Sequence, residues 1–310
     1  MAEPIVSVVI PAHGAARTIE ATLDSLAAQT LTDFEILVVD DASTDGTPEV
    51  VEAWARRRRD PRPRVLRQTE NRGPGAARNR ALAEVRAPFI AFLDADDRAT
   101  PDRLALQVAA LEDRPDDILI GGWFDIVDDD GQVLAQRRPT LSPTLLCWTA
   151  TLHGPILLST LTLRRAALPA NGALFSESWQ GEGDVALRHL LLETGPGSIL
   201  PRVVCLYRKG PVSAAARLFA ERGGEGDDSL AAAHLSRLLG VPVTARHARR
   251  VIDRLWDMPD DRTPENREAV SLFLMTFLAF KRAAPPWCDP AELTALEEHY
   301  RALCAPILGP

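Results

Sequence analysis

Four short apolar runs near the N-terminus, separated by helix-length stretches, constrain this chain more than any other feature. Ile5-Val6-Ser7-Val8-Val9-Ile10 is largely β-branched and ends at Pro11. Glu35-Ile36-Leu37-Val38-Val39 ends in Asp40-Asp41, Val65-Leu66-Arg67-Gln68 is a weaker run, and Phe89 to Leu93 ends in Asp94. Strands covered on both faces read as such near-continuous apolar runs. Ala16 to Gln29 carries Ile19, Leu23 and Leu26 at helical spacing. Thr47 to Arg58 starts with a plausible cap, Thr47, and Pro48 in the first turn. Gly75 to Val85 and Asp102 to Leu111 complete the set. Strand and helix in alternation imply βαβ units with right-handed crossovers. The expected class is α/β: a Rossmann-like, mostly parallel central sheet with flanking helices.

In such a sheet the C-terminal strand ends lie along one edge, where ligands bind. That edge collects Pro11-Ala12-His13-Gly14, then Asp40-Asp41, then Asp94-Ala95-Asp96-Asp97. Three carboxylates in four residues repel one another, and burial sharpens the repulsion. A divalent cation is the usual relief. The segment from Asn71 to Asn79 holds two glycines and Arg78 ahead of a helix, a setting able to hold an anion. By itself it also reads as an ordinary helix start.

The pattern changes after about residue 115. Ile118 to Val127, a turn at Asp128-Asp129-Asp130-Gly131 and Val133 to Gln136 read as a hairpin. Ser159 to Leu163 and Val203 to Tyr207 read as strands, and Val185 to Glu193 as a helix. From Ser213 onward only helices are expected: 214–221, 228–239, 245–256, 265–282 and 290–304. The apolar stretch Ala269 to Phe280 is short for a bilayer span and reads as a core helix, with an in-plane membrane contact as the alternative. A net charge of -8 gives no reason to expect nucleic-acid binding. Arg56 to Arg59 reads as a solvated helix end. Cys147, Cys205, Cys288 and Cys304 lie far apart, without metal-site spacing, which fits a reducing cytoplasmic setting.

Four segments together resemble family 2 glycosyltransferases: Val6 to Ala12, Val38 to Thr47, Asn71 to Asn79 and Phe92 to Asp97. The resemblance covers roughly residues 4–215. It implies a GT-A fold over 1–215, with a nucleotide-sugar-binding half (1–115) and an acceptor half (116–215), followed by a helical C-terminal extension over 216–310. It implies an inverting, metal-dependent transferase. The donor would be a nucleotide-diphospho-sugar, UDP-linked, and the acceptor hydroxyl would sit on a saccharide or on a lipid-linked or protein-linked acceptor. A non-catalytic nucleotide-sugar-binding scaffold on the same fold is the alternative.

Carried over by position, Pro11, Ala12 and His13 line the nucleotide loop. Asp41 accepts from the base, Asp40 shapes that pocket and Arg78 lies close by. Asp94 and Ala95 face the nucleoside, while Asp96, with Asp94, holds Mn2+ or Mg2+. An inverting transfer needs a base for the acceptor hydroxyl, and Asp184 matches it. Trp179, Glu182 and Arg208 are candidate acceptor or phosphate contacts, with Trp123 and Trp148 weaker ones. Gly210 stands where the family often has His, and His13-Gly14 replaces a common Tyr-Asn. The resemblance leaves Asp97 without a role. The extension is expected to bury Leu272, Phe273, Met275, Phe277 and Phe280, within the chain, in a homodimer or against a partner. Location at the inner face of the membrane is also compatible with the sequence.

Overall fold

The computed structural model describes residues 3–152, 154, 156–175, 190–191, 193–209, 229–254 and 262–309. The first half follows the expected alternation: β1 (Val6–Ala12), α1 (Ile19–Ala27), β2 (Phe34–Asp40), α2 (Thr47–Arg58), β3 (Pro63–Arg67), α3 (Gly73–Leu82), β4 (Phe89–Phe92), β5 (Arg98–Ala99) and α4 (Arg103–Asp113). Then come β6 (Leu119–Val127), β7 (Val133–Arg137), α5 (Pro143–Leu152), β8 (Thr162–Arg164) and β9 (Gly197–Arg208). Among the described residues four helices follow: α6 (Ser229–Leu239), α7 (Ala245–Arg254), α8 (Pro264–Ala283) and α9 (Pro290–Leu308).

The described strands form one sheet in the order β3-β2-β1-β4-β8-β6-β9-β5, with β7 added to β6. Pairing is parallel across β3, β2, β1 and β4 and between β6 and β9. Strand β8 joins the two parts through antiparallel pairs with β4 and β6. The chain runs from β1 outward to β3 and then returns to β4 on the other side of β1. A crevice opens where strand order reverses in this way.

Alternate side chains of β1 feed opposite cores, because successive residues of a strand point to opposite faces. Val6, Val8 and Ile10 pack with Ile19, Leu23, Leu26 and Trp54 of α1 and α2. Val9 packs on the other face with Ala77 and Ala81 of α3, Phe92, and Leu146 and Ala150 of α5. Cys147, Trp148 and Leu152 of α5 join a third core made with the C-terminal helices. The Trp148 ring meets Phe277 at 5.1 Å, Phe280 at 5.3 Å and Phe273 at 5.9 Å, and its N–H donates to Tyr300 Oη at 3.1 Å. Trp148 is therefore a core residue and not an acceptor contact.

Phe273, Phe277 and Phe280 are buried within the chain, whereas Leu272 is half-buried and Met275 is exposed. The core-helix reading of 269–280 thus describes α8, and no helix among the described residues is long and apolar enough to cross a membrane. The expected boundary near 216 and the helix expected over 214–221 lie outside the described residues. So does most of the helix expected over 185–193.

Candidate active site

The loops after β1 and β2 are stapled together at the crevice. The Ala15 N–H donates to Thr47 Oγ1 at 2.9 Å, the Ala16 N–H to Asp45 Oδ2 at 3.0 Å and the Gly14 N–H to Ser43 Oγ at 3.1 Å. Gly14 and Gly46 take positive φ, as does Ala42 at 57°, a conformation that penalises a Cβ. Pro11 and Ala12 are buried in the strand end, and Ala12 pairs with Asp40. The exposed His13 donates its Nδ1–H to the Asp41 carbonyl at 2.7 Å, which leaves Nε2 for another partner.

Asp40 is buried and accepts the Ser43 N–H at 3.2 Å. Asp41 is also buried. Its carboxylate accepts from Gln68 Nε2 at 2.6 Å and from the N–H groups of Arg72 and Gly73, both at 2.8 Å. These last two lie at the N-terminus of α3, so a carboxylate there also meets the positive end of a helix dipole. Asp41 thus fixes the 68–73 loop as a wall of the crevice. A carboxylate has about four acceptor positions, and donors among the described residues take three of those on Asp41.

The third strand end carries the acids. Phe92 pairs with Val9 in parallel register, and the Leu93 N–H continues to the Val9 carbonyl. A tight turn closes with the Asp97 N–H on the Asp94 carbonyl at 3.1 Å, while the Asp94 N–H donates to Ser159 Oγ at 3.1 Å. Arg78, almost fully buried, reaches Asp94 Oδ1 at 2.6 Å. Arg208, at the end of β9, reaches Asp96 Oδ2 at 3.5 Å and also pairs with Asp129 of the hairpin. Nε of each arginine is buried without a hydrogen-bond partner among the described residues. Burial, then the neighbouring Asp94 charge, raises the Asp96 carboxyl above its ordinary value despite Arg208. Ala95 is buried between the acids.

Asp97 faces inward. Its carboxylate accepts the Arg208 N–H at 2.9 Å, and its carbonyl accepts the Thr22 hydroxyl at 2.8 Å. Burial first, then Asp94 and Asp96, push its carboxyl well above the ordinary range. Behind it, the buried Arg103 donates to the carbonyls of Phe92 at 2.8 Å and Leu161 at 3.3 Å. Burial lowers the Arg103 pKa to about 10, offset in part by Cys205 and Asp97. This buried network ties the acid turn to β8 and β9, which explains a third acid without assigning it a ligand.

The structure therefore brings together Pro11, Ala12, His13, Asp40, Asp41, Arg78, Asp94, Ala95, Asp96 and Arg208. Trp179, Glu182 and Asp184 lie outside the described residues. Trp123 is half-buried; its N–H donates to the Pro139 carbonyl, and Arg138 lies 5.6 Å from its ring. Three contributors carried no sequence signal of their own: Gln68 on Asp41, Ser159 on Asp94, and Phe175, whose ring lies 5.4 Å from the Arg78 guanidinium carbon. Each acts on a partner distant in sequence.

Residues 7–167, just over half of the chain, match the family model described as "Glycosyl transferase family 2". Among curated proteins, "Succinoglycan biosynthesis protein ExoO" of Rhizobium meliloti (strain 1021) is 38% identical over 131 residues, 42% of this chain and 36% of that protein. The chain spans from about a third to just over half the length of the curated relatives it matches. Among solved structures, S. aureus TarS 1-349 in complex with UDP-GlcNAc superposes with a TM-score of 0.61 at 20% identity, covering 96% of this chain and 88% of that one. Mannosyltransferase PcManGT from Pyrobaculum calidifontis, in complex with GDP-Man and Mn2+, gives a TM-score of 0.58 at 21% identity, covering 97% and 83%. At these identities the structural likeness establishes the fold, which is of the GT-A type.

Proposed function

The chain belongs to glycosyl transferase family 2, and on that premise we propose that it moves a sugar from a nucleotide-diphospho-sugar, UDP-linked, to an acceptor hydroxyl with inversion. The observation that carries this reading is the acid turn at the end of β4, bracketed by Arg78 on Asp94 and Arg208 on Asp96. Two guanidinium groups whose buried Nε donors have no partner among the described residues suit an anionic diphosphate. The solved structures of similar fold contain UDP-GlcNAc in one case and GDP-Man in the other, which supports a donor of this class. The base of the donor would lie against the wall formed by Asp41 and the 68–73 loop, with His13 at its edge.

The residues present also fit a divalent cation. Asp94 and Asp96 offer hard oxygen donors, and their mutual repulsion is relieved by added positive charge. Among the described residues no three His, Cys, Asp or Glu side chains converge as a metal cage. One or two carboxylates plus substrate phosphates are a common arrangement for Mg2+. When bound, Mg2+ or Mn2+ supplies Lewis-acid charge at the departing diphosphate.

The protein's own part is to place the donor and to take the acceptor proton. Arg78 and Arg208 would orient the diphosphate, and Asp184 would act as base toward the incoming hydroxyl. Residues 1–215 would form the catalytic unit, with 216–310 packed against it through α5. The acceptor would be a saccharide or a lipid-linked or protein-linked acceptor.

The test is Asp184→Asn: transfer should be abolished while calorimetric binding of UDP with Mn2+ persists. Full transfer by that variant would remove Asp184 from the mechanism. Binding without transfer by the unaltered protein, across a panel of donors and acceptors, would favour a non-catalytic binder.

A further inference from the structure

Arg78 is held from two sides, and only one of them is the acid turn. Its guanidinium carbon lies 5.4 Å from the centroid of the Phe175 ring. Phe175 is buried, and the same ring meets Phe92 edge-on at 5.5 Å, two residues before Asp94. Its backbone is gripped by Asn79, the residue after Arg78. Asn79 Nδ2 donates to the Phe175 carbonyl at 2.5 Å. Asn79 Oδ1 accepts the N–H groups of Leu174 at 3.0 Å and Phe175 at 2.9 Å. One side-chain amide therefore replaces a strand partner for this segment. The physical outcome is a fixed aromatic face behind a nearly buried guanidinium.

We propose that Asn79 and Phe175 are positioning residues of the donor site, acting through Arg78. Asn79 sets the Phe175 ring, the ring face holds the guanidinium by cation–π attraction, and the guanidinium is thereby presented to Asp94 and to the diphosphate. A cation over an aromatic face is favoured most when both are desolvated, as here. An arginine left without that face keeps its charge but samples several rotamers, so each bound ligand must bear its ordering. The inference rests on the reading of Arg78 and Asp94 as donor-site residues.

The experiment is a double-mutant cycle on nucleotide affinity, read by calorimetry with UDP and with GDP in the presence of Mn2+. The four proteins are the unaltered chain, Phe175→Leu, Arg78→Ala and the double variant, with Phe175→Tyr as the conservative control. Phe175→Leu should weaken binding roughly three- to tenfold, part of the roughly thirtyfold that a fully desolvated cation–π contact is worth, since Asp94 still holds the guanidinium. In the Arg78→Ala background it should add little, since the partner is already gone. Phe175→Tyr, which keeps the ring, should restore affinity, whereas a purely structural role would track melting temperature in every variant. Asn79→Ala should reproduce the Phe175→Leu loss. Equal losses in both backgrounds, or no loss, would overturn the proposal while leaving the donor site intact if Arg78→Ala alone weakens binding. An unaltered chain that binds neither nucleotide, or an Arg78→Ala variant of full affinity, would overturn the donor-site reading and this inference with it.

Discussion

Removing the Asp41 carboxylate tests whether the 68–73 wall is built as described. Three hydrogen bonds converge on it, from Gln68 Nε2, the Arg72 N–H and the Gly73 N–H. Hydrogen bonds to a charged group contribute about 1.5–3 kcal/mol each, so a naive sum for Asp41→Ala reaches roughly 5–9 kcal/mol. The surroundings reduce that figure. The half-buried Gln68 side chain can turn to water, the N–H of the exposed Arg72 can donate to a water in place of the carboxylate, and the buried Gly73 N–H has a second acceptor in Asn71 Oδ1 at 3.1 Å. The expected loss is therefore about 2–4 kcal/mol. For a chain of this length unfolding as a unit, that corresponds to roughly 3–6 °C in melting temperature. Asp41→Asn keeps one oxygen for two of the donors but turns an amide toward the third, so about half the loss is expected. Thermal and urea melts of both variants provide the measurement, alongside nucleotide binding, which should weaken with the wall. An Asp41→Ala protein melting within about 1 °C of the unaltered chain would refute the argument.

Trp148→Ala empties a site bounded by Phe273, Phe277, Phe280 and Tyr300, and should cost about 3–5 kcal/mol; a urea midpoint shift worth under 1 kcal/mol would show that this third core does not hold the helices. Glu35 tests pH dependence. Burial alone would raise its carboxyl, but bonds to Arg86 and Ser7 outweigh this and hold it below the ordinary value of 4.5. A depressed pKa stabilises above the unfolded value and is lost as pH falls through the folded one. Glu35→Gln should therefore be less stable than the parent at pH 7, with the gap closing as pH drops below 4.5; a gap unchanged at pH 3 counts against it. At Ala42, the left-handed φ of 57° favours glycine, so Ala42→Gly should raise stability by up to about 1 kcal/mol in a urea melt, and a clear loss would contradict the strain.

Local pattern alone suffices to locate the strands and the edge they share. Doubly covered strands must be apolar along their length, so β1, β2 and β4 show in composition alone, and the residues that end them are adjacent in the chain. Asp94 and Asp96 were legible for that local reason. So was Arg78, which sits at a helix start marked by glycines. Elements with two masters were not legible. Helix α5 is apolar all round because Leu146 and Ala150 serve the sheet core while Cys147, Trp148 and Leu152 serve the C-terminal one. Without a polar face it shows no helical period. Strand β9 is twelve residues long but shows only as its last part. Pro201 and the shifted register opposite Gly122 and Trp123 break the strand pattern.

The state of each site residue follows instead from contacts made through space. Local pattern places Asp41 at a strand mouth, but the bonds that bury it come from Gln68, Arg72 and Gly73, some thirty residues on. Arg78 is a helical arginine in the sequence, yet its direction is set by Asp94 on one side and by Phe175, almost a hundred residues away, on the other. Burial and charge pairing depend on distances through space, and those exist only once β1, β4 and β8 have been laid side by side.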